Sequence, residues 1–256
     1  MAAGHAHPLY LDRSSPVHRL PPHVKITATV LFTMAVVATP REAFWAFGGY
    51  TLLVAGVAGA ARVPPGWLLK RSMVEVPFVT LALLLPFLAA GEQVTWLGVT
   101  MSRDGLYGGW NILAKGTLGV LASLLLAGTT TMRDLLAGLD RLRCPQLVTQ
   151  IAAFMLRYLD VLAGEARRMR VARLSRGDDP RLLWQLRGFA GGVGALFLRA
   201  FERGERVYLA MLSRGYTGRM PVALRGGAAA TAGQWVTASA VPVAAAALAI
   251  VAVLTS

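Results

Sequence analysis

Long runs without a charged residue alternate along this chain with short basic connections, until one long basic stretch breaks the rhythm. Residues 26–40 carry no charge, and residues 43–61 are 19 positions without one. Residues 76–91 are uncharged, with Pro77 and Pro86 inside and Glu75 at the edge. Residues 110–128 hold only Lys115, near their start, and residues 226–256 hold no charge at all. Each run approaches the ~20 residues that cross a hydrocarbon core, the shorter ones by borrowing flanking positions. The pattern predicts five transmembrane helices. The uncharged stretches at 145–156 and 188–198 are too short to span and read as surface-lying or packed helix faces. The expected architecture is an all-α membrane protein. It has a leader at 1–25, four spans within 26–128, an amphipathic helical segment at 129–225 and a last span within 226–256.

Composition agrees: 55% hydrophobic and 15% charged residues describe a membrane protein. Charge then orients it. Residues 131–225 hold 17 basic and 8 acidic residues, so most of the net charge of +13 lies there. With the N-terminus inside, the leader, the connection bearing Arg62, Lys70 and Arg71, and the whole 129–225 segment face the cytoplasm. Only Arg41 and Arg103 are left for the outer loops. The first 25 residues lack an apolar h-region, so no cleavable signal is expected; the cell (inner) membrane is the expected location. Nucleic-acid binding would explain a basic segment but not the apolar runs around it, so no nucleic-acid partner is expected.

The basic segment contains one phrase twice. Ala172-Arg173-Leu174-Ser175-Arg176-Gly177 returns 38 residues later as Ala210-Met211-Leu212-Ser213-Arg214-Gly215. Glu165 lies upstream of the first copy, Glu202 and Glu205 upstream of the second. In each copy a helical run ends on Arg-Gly. Glycine reaches the left-handed conformation that closes a helix at little steric cost. The Arg then sits in the last turn, where the helix dipole favours a cation by roughly 0.3–1 kcal/mol. At about 100° per residue, Arg199, Arg203, Arg206 and Arg214 form one cationic stripe. Phe197, Phe201, Gly204, Tyr208, Met211 and Leu212 fall on the opposite side. The expectation is that this apolar face packs on the other motif-bearing helix or on the underside of the spans. The stripe would point to solvent or an acidic partner, and Gly204 would mark a close crossing.

No chemistry of catalysis is visible. There is no phosphate loop, since Ala114-Lys115-Gly116-Thr117 lacks the spacing. His-Glu-x-x-His and Gly-x-Ser-x-Gly are absent, and Cys144 stands alone. His5, His7, His18 and His23 lie among the prolines of the leader, which argues against a regular metal site. Glu75 and Lys115 are the ionisable candidates within the spans, and both read as sitting near interfaces, where snorkelling explains them. No catalytic residue, metal site or cofactor is expected.

These residues resemble a known family. The two Arg-Gly phrases, the second continuing as Tyr216-Thr217-Gly218, resemble the paired motifs of the T components of energy-coupling-factor (ECF) transporters. The leader from Ser15 to Lys25, with His18-Arg19-Leu20-Pro21-Pro22 inside it, looks like the start of the cobalt-transport branch, CbiQ. Thr131-Met132-Arg133-Asp134, Cys144-Pro145 and Leu156-Arg157-Tyr158 follow the family's run into the first motif. Ser175 and Ser213 depart from it, since the family often has Ala before Arg-Gly. The resemblance implies a non-catalytic scaffold whose two coupling helices dock into two ABC-type ATPase subunits. It passes their closure to a separate substrate-binding integral membrane subunit. Arg176 and Arg214 would be the docking anchors, flanked by Arg173, Ser175 and Ser213, with Gly177 and Gly215 closing the helices. A self-contained secondary carrier with a basic cytoplasmic anchor is the alternative, but it leaves both motif copies unexplained. A membrane enzyme acting on an anionic lipid is a third reading, and it lacks a visible base or nucleophile.

Overall fold

The computed structural model of the chain describes residues 9–89, 93–96, 99–177, 186–218 and 230–255. His5, His7 and Asp178-Asp179 lie outside these. Two compact units are built from it, and the larger is composed of residues 9–142 and 227–256. In order, its helices are α1 (Pro22–Ala38), α2 (Phe44–Ala60), α3 (Pro65–Ser72) and α4 (Val76–Leu88), the last two joined by a 3-10 turn at Met73–Glu75. Then come α5 (Arg103–Thr129), α6 (Met132–Arg141) and α9 (Ala232–Thr255). A hairpin of β1 (Gln93–Trp96) and β2 (Val99–Ser102) precedes α5, pairing Gln93 with Ser102 and Trp96 with Val99. This hairpin is a small departure from the all-α expectation. It forms where β-branched residues cluster, at Val94, Thr95, Val99 and Thr100.

Among the described residues four helices are long and apolar enough to cross a membrane: Pro65–Leu88, Arg103–Thr129, Gln146–Leu174 and Ala232–Thr255. Three coincide with expected spans. Two further expected spans fall on α1 and α2, each 17 residues long, roughly 25 Å against a hydrocarbon core of about 30 Å. The span at 76–91 is corrected. The helical run reaches back to Pro65 through Lys70 and Arg71, so Glu75 stands inside a longer helix, at the start of its uncharged part. Its carboxylate is buried and accepts from Thr117 Oγ1 at 3.0 Å. Lys115, midway along its helix, donates to Val37 O at 2.8 Å and satisfies a last-turn carbonyl of α1.

The interior is organised around Tyr50, which is fully buried. Its hydroxyl lies 2.7 Å from Thr39 Oγ1 and donates to Ala245 O at 3.3 Å, tying α2 to α9 and to the end of α1. Phe32 and Phe47 meet its ring edge-on. A tight approach joins α4 to α5. A Cβ on Gly109 would lie 2.5 Å from Ala82 O, and one on Gly105 would lie 2.6 Å from Leu85 O. Pro86, inside α4, has no N–H to return to Ala82 O, so that carbonyl is freed toward α5. Small residues four apart allow such backbone contact between helices in lipid.

The described part of the leader is tied to the end of α5 and to itself. Leu11 N–H donates to Gly128 O at 3.0 Å, and the His18 ring bridges Ser15 Oγ and Leu11 O. Among the described residues no group of three or more His, Cys, Asp or Glu is arranged to hold a metal ion.

Candidate functional site

The second unit contains the repeated phrase, in α7 (Gln146–Leu174) and α8 (Leu186–Leu212). Both helices end as local chemistry requires. Gly177 has φ +82° and Gly215 has φ +81°, the left-handed region that glycine enters without a Cβ penalty. Gly215 N–H donates to Leu212 O and Tyr216 N–H to Met211 O, each at 3.0 Å, which is the Schellman closure. Gly177 N–H makes the equivalent first bond, to Leu174 O at 3.1 Å. Ser175 Oγ donates back to Val171 O and Ser213 Oγ to Ala210 O, so the serines serve their own helix ends. Arg176 and Arg214 are exposed, with no ion-pair partner among the described residues. Arg173 is half-buried and partnered.

The pairing of α7 with α8 is antiparallel. Near the start of α7, Gln150 receives Tyr216 Oη at 2.9 Å and donates to Gly218 O at 3.3 Å. Midway, Glu165 accepts from Arg199 Nη1 at 2.7 Å, with Arg168 at 3.4 Å and Arg203 at 3.6 Å. Arg199, whose hydrogen bond dominates, holds the Glu165 carboxyl below its ordinary value, and Arg168 adds to this. This carboxylate is therefore charged at every pH above the usual range, and the clasp loosens only as pH falls through its lowered pKa. The second motif thus ends beside the beginning of α7, while the first ends at its far end. Some 25 residues of helix separate them, roughly 37 Å at 1.5 Å per residue.

The expected facing of α8 is corrected. The side that meets α7 carries Arg199 and Arg203, whereas Phe197, Phe201, Tyr208 and Leu212 are exposed and Met211 is half-buried. Gly204 has nothing within 4 Å of a Cβ position, so it marks no crossing with α7. On the side that meets α7 one carboxylate, Glu165, is ringed by three guanidiniums. Gly204→Leu is accordingly expected to leave the pairing of α7 with α8 unchanged. Removing the helical glycine should stabilise α8 by about 0.8 kcal/mol, read as a small rise in thermal midpoint. A fall in that midpoint would restore the crossing.

Glu165 was visible in the sequence only as an acid upstream of the first motif. Nothing there marked Gln150 or Tyr216 as partners, since they are 66 positions apart.

Residues 13–222 match the family described as "CbiQ: Cobalt transport protein". The energy-coupling factor transporter transmembrane protein EcfT of Bacillus selenitireducens is 31% identical over 223 residues, covering 82% of each chain. That of Heliobacterium modesticaldum is 29% identical over 225 residues, 82% of this chain and 83% of the relative. The cobalt transport protein CbiQ of Rhodobacter capsulatus is 29% identical over 163 residues, 63% and 65% of the two chains.

Proposed function

The chain belongs to the CbiQ family of cobalt transport proteins, and from that membership we propose that it transmits ATPase closure to a substrate-binding subunit through its two Arg-Gly-ended helices. It is a membrane protein and the transmembrane component of a transporter. In the proposed complex Arg176 and Arg214 each anchor one ABC-type ATPase subunit, with Arg173, Ser175 and Ser213 flanking them. Gly177 and Gly215 stop each helix so that its arginine projects past the last turn. The separate substrate-binding integral membrane subunit responds when the ATPases move the pair. No catalytic role falls to this chain, and cobalt ion is the cargo.

The observation that carries this reading is the position of the two exposed arginines. They sit on glycine-capped ends at opposite ends of one antiparallel pair, too far apart for a single small partner and suited to two. Co-purification tests it. A tagged chain should bring down two ATPase subunits and one further membrane subunit, and cobalt uptake should require ATP. A chain that purifies alone and still carries substrate is a secondary carrier, and the proposal fails.

The topology that fits has five spans (α1, α2, α4, α5 and α9), the N-terminus on the cytoplasmic side of the inner membrane and 129–225 as the coupling segment. Helix α7 is long enough to cross as well. Arg157 and Asp160 lie near its middle, where each charge costs about 2.5–3.5 kcal/mol to insert. Its apolar half is better served lying on a surface. A reporter fused after Ser256 should therefore report outside the cytoplasm, and one inserted near Asp178-Asp179 inside. Both reporters on one side would overturn the five-span arrangement.

A further inference from the structure

A cavity of about 520 Å³ opens within the larger unit between α1, α2, α5 and α9, and Pro16, Val17 and Leu20 of the leader border it. Its walls are apolar, with Phe32, Leu53, Val57, Ala122, Leu126 and Val241 among them. One charged side chain lines it. Lys25 is only 8% exposed, and among the described residues its ammonium makes one hydrogen bond, to Thr129 O at 2.8 Å. An ammonium has three donors. No carboxylate among the described residues stands within ion-pair distance of it. Asp134 makes no ion pair with it, though its field reaches Lys25, and it accepts from Thr131 Oγ1 at 2.6 Å.

Lys25 belongs to the first turn of α1 and Thr129 closes α5, so the charged end of the cavity lies where these helices meet the membrane boundary. Phe32 stands seven residues further along α1, roughly 10 Å deeper. A buried cation without a counter-ion in contact is costly, and an anion at its open donors lowers that cost. Walls of this kind exclude water. A helix is about 10–12 Å across with its side chains, so this volume would accept little more than one turn of a partner. A methylene chain is thinner and carries no polar atom to satisfy.

We propose that this cavity binds an anionic phospholipid, with one acyl chain between α1 and α5 and its phosphate beside the Lys25 ammonium. The site is independent of the Arg-Gly ends and does not rest on the ATPase-docking reading. Leader residues Pro16, Val17 and Leu20 form part of its rim, which gives this part of the leader a role in retaining the lipid.

The test is native mass spectrometry of the full chain, delipidated and then exposed to vesicles of palmitoyl-oleoyl phosphatidylglycerol or palmitoyl-oleoyl phosphatidylcholine. The expected result is one phosphatidylglycerol retained per chain, at least tenfold more than phosphatidylcholine. Lys25→Met should erase that preference. Ala28→Phe should lower retention of both lipids by filling the cavity while leaving the Lys25–Thr129 bond intact, and it decides the matter if Lys25→Met fails to fold. Equal retention of the two lipids by the natural chain overturns the proposal. So does an undiminished preference in Lys25→Met, or undiminished retention in Ala28→Phe. Finding the cavity filled by a partner subunit's side chains in the assembled transporter overturns it too.

Discussion

On the proposed docking, replacing both Arg176 and Arg214 with alanine is expected to reduce ATP-driven uptake to background while the chain still inserts and still binds the proposed membrane subunit. Each arginine that pairs with an acidic group on an ATPase contributes a charged hydrogen bond of roughly 1.5–3 kcal/mol. The two ends are far apart, so the losses should add. Together they make roughly 3–6 kcal/mol, about two to four orders of magnitude in complex stability. Either single replacement should weaken co-purification of one ATPase and leave the other bound. The helix pair itself should survive, because Glu165, Arg199, Gln150 and Tyr216 hold it and neither motif arginine takes part. Normal uptake by the double variant removes the docking assignment. Arg→Lys at both positions refines the outcome: charge remains and the planar fork is lost, so an intermediate loss is expected where bidentate pairing matters.

Gly109→Leu should separate α4 from α5 and leave little folded protein. The Cβ alone would meet Ala82 O at 2.5 Å, and that oxygen belongs to the backbone, so no rotamer change can relieve it. Overpacking of this kind costs about 1–3 kcal/mol when a core can shift. Here two backbones must part, and the carbonyl freed by Pro86 loses its close neighbour as they do. Gly109→Ala should already lower the thermal midpoint in detergent. Gly119→Leu, on the same helix with nothing within 4 Å of its Cβ position, should not. Equal midpoints for the two leucine variants would show that the approach of α4 to α5 does not hold the unit together.

These two expectations differ in how early they could be seen. The arginine ends were legible as text: a helix ending on Arg-Gly is local chemistry, and Gly177 and Gly215 do adopt positive φ. The apolar runs were legible for the same reason, since transfer from water is a property of each residue summed over a window. What the runs did not show is that Glu75 is buried and held by Thr117, 42 positions away on α5. The close helix approach was expected at Gly204 and lies instead at Gly105 and Gly109. Spacing marks small residues, but only the partner helix decides which of them is pressed.

The facing of α8 makes the same distinction. Its sequence determined two faces, one cationic and one apolar, because a 3.6-residue period sorts side chains around a helix. It could not determine which face turns toward α7, since both have physical grounds to be covered. Glu165, on a different helix and 34 positions from Arg199, settles that choice by clasping Arg199 and Arg203. Sequence determines what each helix presents, while the tertiary structure decides which presentation is answered, because burial and ion pairing depend on what stands opposite.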